Sequence, residues 1–231
     1  MASIKSIVLV VVISLGLVFA LVFLFADTQS ESELIVGTKE SETFDGPRTS
    51  EEHEIRSPSI INSMNQIAHI KTNQGVIIME LFGEQMPITV GNFVNLAQSG
   101  FYDNTKFHRV IEGFMIQGGD PNTKGNNEAM YGQGGPDQNI QDEFVDGELL
   151  TNTRGTIAMA NTGQPNSGGS QFFINLGDNT SLDFDKEPLS SKHPVFGRVT
   201  DGMDIVDAIA RTETKAGDIP VAPIVIESIE I

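Results

Sequence analysis

The sequence predicts a mainly β fold, a closed antiparallel barrel with two helices, preceded by a transmembrane helix and a disordered linker. Three observations carry this expectation. Short runs rich in β-branched and aromatic residues recur between Gly-, Pro- and Asn-rich stretches. Only two stretches show helical periodicity. One long uncharged run opens the chain, and a polar acidic stretch follows it.

The uncharged run is IVLVVVISLGLVFALVFLFA, between Lys5 and Asp27. As a helix rising about 1.5 Å per residue it would cover roughly 30 Å, the hydrocarbon thickness of a bilayer. Residues 1–26 are therefore expected to be a membrane anchor that meets lipid through residues 6–26. A cleaved signal peptide, with secretion of the rest, is the rival expectation. Its apolar region is usually about 7 to 15 residues and ends in a small-x-small site, which Leu24, Phe25 and Ala26 fit poorly. Lys5 flanks one side and Asp27, Glu31 and Glu33 the other. The positive-inside rule then keeps the N-terminus cytoplasmic and puts the bulk of a single-pass protein on the extracytoplasmic side.

Residues 27–65 are polar, acidic and aperiodic, an acidic flexible linker. As a coil such a segment reaches roughly 35 Å. The globular domain is expected over residues 66–231. It opens with IAHIKTNQGVIIMELF, two β-rich runs broken by Asn73-Gln74-Gly75, which is a hairpin signal. PITVGNFVNLAQSG runs from Pro87 to Gly100 with Val90, Phe93, Val94 and Ala97 on one face, an amphipathic helix. DGMDIVDAIAR is the second helix, with Ile205, Val206 and Ile209 together. FHRVI, GTIAMA, QFFINL, HPVFGRV and IVIESIEI read as strands. A closed barrel leaves such strands no exposed edge.

The balance of 31 acidic against 14 basic residues gives a net charge of −17, which repels phosphate backbones and speaks against a nucleic-acid partner. The absence of cysteine excludes disulfides, thiolate metal sites and cysteine nucleophiles. His53, His69, His108 and His193 stand far apart, so neither a metal nor another cofactor is expected. Asp183-Phe184-Asp185-Lys186-Glu187 alternates oxygen ligands but lacks the glycine and length of a calcium loop, and is expected to be solvated. Asn179-Thr180-Ser181 is a formal glycosylation sequon in an expected exposed loop. Phosphate-binding, dinucleotide-binding, nucleophile-elbow and zinc-protease signatures are all missing.

Three blocks stand out: FHRVIEGFMIQGGD at 107–120, MANTGQPNSGGSQFFINL at 159–176 and KHPVFGRVTDGMDIVD at 192–207. In this order they resemble the cyclophilin family of peptidyl-prolyl cis/trans isomerases, and the resemblance covers residues 66–231. It implies an eight-stranded barrel capped by two α-helices and proline-containing polypeptides as substrates. It implies no cofactor, and the soluble domain is expected to be monomeric. It places the catalytic arginine on Arg109 and the proline pocket on Phe114, Met115 and Phe173. Gln117, Ala160, Asn161 and Gln171 take the positions that bind the substrate backbone and support the arginine, with Gln117 grouped with Arg109 in catalysis. Leu182 and His193 fall on the far rim, while His108 is read as structural. An aromatic residue in relatives precedes the rim leucine and contacts the inhibitor cyclosporin. Here that position is Ser181, and an insertion-like FDKEPLSS follows.

The expected function is acceleration of X-Pro isomerisation in exported or membrane proteins, assisting their folding. A proline-peptide-binding chaperone or assembly module with incidental catalysis is the alternative.

Overall fold

In a computed structural model of the protein, residues 66–187, Leu189 and 192–231 are described. The expected anchor of residues 1–26 and linker of residues 27–65 lie outside the described residues. Among the described residues no helix is long and apolar enough to cross a membrane.

The hairpin forms where the sequence predicts it. Strand β1 (Gln66–Thr72) pairs with β2 (Gly75–Leu81), with Thr72 opposite Gly75. Thr72 Oγ1 accepts from the Gln74 N–H at 3.0 Å and donates to the Gly75 carbonyl at 2.7 Å, closing the turn. Alternation along the strands buries Ala68 and Ile70 from β1, and Ile77, Met79 and Leu81 from β2. Gly75 has φ +139°, and a Cβ there would lie 2.8 Å from Ile205 Cδ1, so the turn needs its glycine for both conformation and space.

Helix α1 (Pro87–Gln98) starts with proline at its first turn and buries Val90, Phe93, Val94 and Ala97, the face its periodicity marks. Met86 offers no side-chain cap. The carboxylate of Glu143, 54 residues on, accepts from the Ile88 and Thr89 N–H groups at 3.1 and 2.9 Å. It satisfies orphan donors at the positive end of the helix dipole and ties the long loop after β5 to α1.

The remaining strands are β3 (Thr105–Phe107), β4 (Arg109–Ile111), β5 (Met115–Gly118), β6 (Thr156–Met159), β7 (Phe172–Asn175), β8 (Val195–Asp201), β9 (Thr214–Lys215), β10 (Ile219–Pro220) and β11 (Ile224–Glu230). Nine of the eleven described strands form one antiparallel sheet in the order β3-β11-β1-β2-β8-β6-β7-β5-β4, while β9 and β10 pair separately. The resemblance implied eight strands. The difference lies at His108, which interrupts the single run FHRVI and divides it into β3 and β4. These two are the end strands of the sheet, so one segment of chain joins its two ends and the barrel comes nearly closed. The His108 N–H still donates to the Gln117 carbonyl at 2.9 Å, holding the break against β5.

Inside, Phe93 contacts Tyr102, Phe172 and Phe196 with ring centroids 5.2 to 5.6 Å apart, the Phe172 contact edge-to-face. Burial pushes the Tyr102 hydroxyl pKa far up, so it stays protonated and donates to the Ser170 carbonyl at 3.2 Å. Helix α2 (Met203–Ala210) begins after Gly202 at φ +83° and buries Val206, Ile209 and Ala210. Ile205 is only half-buried, because it leans on Gly75 rather than entering the core.

His108 is 4% exposed, and neither ring nitrogen has a partner among the described residues. Burial lowers its pKa below the ordinary 6.5, against an opposing pull from Asp120. His193 is lowered for the same first cause. In the window below about 6.5 the unfolded chain has taken up protons that the folded chain has not, so stability rises with pH there. This contribution is complete above the unfolded value and disappears as pH falls through the folded one. The urea midpoint is therefore expected to drop between about pH 7.5 and about pH 5.5, and to drop less in His108→Phe. An equal drop in both proteins would remove His108 from the account.

Candidate active site

Strand period and register build the site. Across β4, β5, β7 and β6, Val110 faces Ile116, Ile116 faces Ile174 and Ile174 faces Ile157, and all four are buried in the barrel. One residue along, the side chains point to the other side of the same wall. There Arg109 pairs with Gln117, and Gln117 with Phe173. Phe172 and Phe173 illustrate the division: the first enters the aromatic core, and the second lines the outer surface.

That surface holds a cleft of about 210 Å³ lined by Arg109, Phe114, Met115, Gln117, Ala160, Asn161, Phe173, Leu182 and His193. Nine of the ten residues singled out in the sequence thus converge. Gln171 lies in an adjoining cavity of about 580 Å³, which shares Gln117, Ala160 and Asn161 with the cleft. It is linked to the cleft because its Oε1 accepts from Gln117 Nε2 at 3.0 Å, while its own Nε2 donates to the Gly134 carbonyl at 2.7 Å. The glutamine pair separates the two hollows.

Each wall is held from behind. Met115 and Phe173 are 2% and 4% exposed, a firm apolar floor. Phe114 sits in the turn after β4, whose carbonyl accepts from the Leu176 N–H at 2.9 Å and from Asn179 Nδ2 at 2.8 Å. Asn179 Nδ2 also donates to Asn175 Oδ1 at 2.7 Å. Thr180 and Ser181 of the sequon lie exposed as expected, but its nitrogen is engaged in the fold. Asn161 Nδ2 donates to the Lys192 carbonyl at 2.6 Å, and its Oδ1 accepts from the Gly163 N–H at 3.0 Å, bracing the loop over the cleft.

His193 stacks edge-on against Phe173 at 5.3 Å, and its Nδ1–H donates to the Met159 carbonyl at 3.1 Å. Burial keeps it neutral, so it adds an apolar ring and no charge to the rim. Leu182 ends the short 3₁₀ turn Thr180–Leu182, and its carbonyl accepts from the His193 N–H at 3.0 Å. Ser181 is exposed on that turn. Phe184 points elsewhere and stacks on Phe144 at 5.4 Å.

Arg109 is the cleft's only charged lining residue among those described. Its Nε donates to Asp218 Oδ2 at 3.3 Å, and its two terminal nitrogens have no partner among the described residues. A planar donor pair therefore stands over an apolar floor, with the amides of Gln117 and Asn161 on the flanks. The arrangement suits a neutral polar group beside a compact apolar ring.

Two features were not visible in sequence. Asp218 meets Arg109 across 109 positions, with no motif to announce it. Asp183, expected to be solvated, is 5% exposed, and its Oδ1 accepts from the backbone N–H and side-chain Nδ2 of Asn152, both at 2.8 Å. It fastens the rim to the loop before β6 and is no part of an open ligand loop.

Residues 67–231 match the family model described as cyclophilin type peptidyl-prolyl cis-trans isomerase/CLD. Peptidyl-prolyl cis-trans isomerase B of Escherichia coli is 44% identical over 167 residues, which covers 69% of this chain and 96% of that protein. The probable peptidyl-prolyl cis-trans isomerase A of Mycobacterium leprae is 43% identical over 191 residues, 74% of this chain and 96% of that one. Among solved structures, a Cryptosporidium parvum cyclophilin-type isomerase crystallised with the dipeptide Ala-Pro superposes with a TM-score of 0.62 at 34% identity. It covers 72% of this chain and 98% of its own. With the barrel, the cleft and these relatives in agreement, the chain belongs to the cyclophilin-type peptidyl-prolyl cis-trans isomerases.

Proposed function

We propose that this isomerase acts on X-Pro bonds of exported or membrane proteins as they fold, with Arg109 as the catalytic group. The observation that carries this reading is the cross-strand row Arg109–Gln117–Phe173, which sets a guanidinium beside an apolar floor. Rotation about an amide must break conjugation, a barrier of about 18 to 20 kcal/mol, and unaided X-Pro bonds take tens to hundreds of seconds. No nucleophile is needed to lower it. At the twisted transition state the prolyl nitrogen becomes pyramidal and regains a lone pair. A fixed donor aimed there binds the transition state better than either planar ground state. Arg109 is always charged and planar, which suits that task.

Phe114, Met115 and Phe173 receive the proline ring, with Leu182 and His193 closing the far side. Water is excluded from the ring's surroundings, which strengthens the bond Arg109 makes. Gln117 and Asn161 hold the peptide backbone on the other side of the rotating bond, and Ala160 and Gln171 shape the path of the chain leading to it. The Ala-Pro dipeptide that accompanies the Cryptosporidium relative supports a proline-containing peptide as the occupant.

The same proposal places residues 1–26 in a membrane, with the N-terminus in the cytoplasm and the domain outside. The uncharged run before Asp27 and the charges at its two ends support it. The full chain is expected in the membrane fraction, with residues 66–231 cut by protease added to intact spheroplasts. A mature protein starting near Asp27 would replace the anchor with a signal peptide, and protection until lysis would reverse the orientation.

Arg109→Ala removes one preorganised donor, so kcat/KM on a short X-Pro peptide should fall by about 10² to 10³ with the melting temperature nearly unchanged. Arg109→Lys should rescue poorly, lacking the planar fork. Wild-type turnover in Arg109→Ala would reject the mechanism, and combined with normal client folding in an Arg109→Ala strain it would favour a binding module.

In relatives an indole at the position of Ser181 contacts cyclosporin. An aromatic anchor is commonly worth about 2 kcal/mol or more at an interface, so inhibition here should be weaker by roughly thirtyfold or beyond. Ser181→Trp should recover part of it with little change in turnover. Tight inhibition of the wild type that vanishes in Phe184→Ala would move the rim role to Phe184.

A further inference from the structure

We infer that Asp218 is a positioning residue for Arg109, setting the direction of its two terminal nitrogens through a contact at Nε. This rests on Arg109 being the group that acts on the rotating bond. An arginine reaching its target from a strand has several rotatable bonds between backbone and fork, and a half-exposed one will sample many of them. Arg109 is 43% exposed at its side chain, so packing alone does not fix it. Gln117, its neighbour across β4 and β5, is engaged with Gln171 and makes no bond to it. Among the described residues its one polar partner is Asp218, whose Oδ2 lies 3.3 Å from Nε.

The hairpin that carries Asp218 is built to hold that carboxylate in place. β9 and β10 pair through Ile219 with Lys215 and Pro220 with Thr214, leaving Ala216, Gly217 and Asp218 in the turn. The Asp218 carbonyl accepts from the Val110 N–H at 2.8 Å, so the backbone of Asp218 is bonded to the residue next to Arg109. Gly217 and Asp218 both take left-handed conformations, φ +84° and +60°. Aspartate tolerates that region better than most side chains but does not prefer it. A glycine would meet the backbone requirement more easily. The turn therefore has a side chain at a position where its conformation does not ask for one, and that side chain faces the catalytic arginine.

The contact engages Nε alone. Nε lies at the base of the fork, so a partner there fixes the plane of the guanidinium while both terminal nitrogens stay open to the cleft. A bidentate partner at the tip would occupy the donors that the substrate needs. With both partners near half exposure, 43% and 45%, the pair adds little to folding stability. Its value is geometric, because a small misplacement of a catalytic donor costs up to about 10²-fold in rate.

The test compares Asp218→Gly, which removes the carboxylate and relaxes the left-handed backbone, with Asp218→Asn, which keeps an oxygen acceptor and the same preference. Both are measured beside Arg109→Ala in the full chain. Asp218→Gly should lower kcat by about tenfold with KM nearly unchanged, and Asp218→Asn should stay within about threefold of wild type. The Arg109 Nε–H resonance should exchange with water faster in Asp218→Gly and at close to the wild-type rate in Asp218→Asn. Continued protection of the Val110 amide shows that the hairpin remains docked. Wild-type kcat in Asp218→Gly, or equal losses in both variants, overturns the inference. If Arg109→Ala itself keeps wild-type activity, the mechanism of the site fails instead, and the two failures are told apart by that one comparison.

Discussion

The cleft depends on the register between β5 and β7. Gln117 opposite Phe173 and Ile116 opposite Ile174 fix which residues look inward and which look out. A slip of β5 by one residue would bring the polar Gln117 into the aromatic core and turn Ile116 to water. The buried row Val110, Ile116, Ile174 and Ile157 thus holds the functional row in position, because the two are opposite faces of one sheet. Burial of aliphatic side chains, at roughly 1.5 to 3 kcal/mol each, is what makes the alternative registers unfavourable.

The site is apolar and neutral apart from its arginine, although the whole chain carries a net charge of −17. The acidic residues near it are engaged in structure. Glu143 caps α1, and Asp183 binds Asn152. Neither carboxylate lines the cleft, where Arg109 carries the only charge among the lining residues described and Asp218 meets it at Nε.

Much of this was legible in sequence wherever the pattern is local. The hairpin, α1 and the strands follow from alternation, glycine placement and a proline at a helix start, and the cleft residues lie in short contiguous blocks. What was hidden depends on distance or on one exceptional residue. No periodicity says that His108 will break FHRVI into two strands. Glu143 reaches α1 across 54 positions and Asp218 reaches Arg109 across 109, and nothing about an acidic residue in a loop reveals its partner. Asp183 sits in a charged run that reads as solvated, yet the amide of Asn152 draws it inside.

Strand β11 lies between β1 and β3 and follows every other described strand in sequence. Its pairing with β1 joins residues as far apart in sequence as His69 and Glu230. During synthesis the hairpin and α1 are made before β11, and β1 and β3 each present an unpaired edge until β11 follows. At about 5 to 20 residues per second, those edges stay open for many seconds. The barrel can close only once β11 has been made, and a nascent chain lacking β11 would itself be a client for holding chaperones. A peptidyl-prolyl isomerase of this topology is thus itself late to complete its fold.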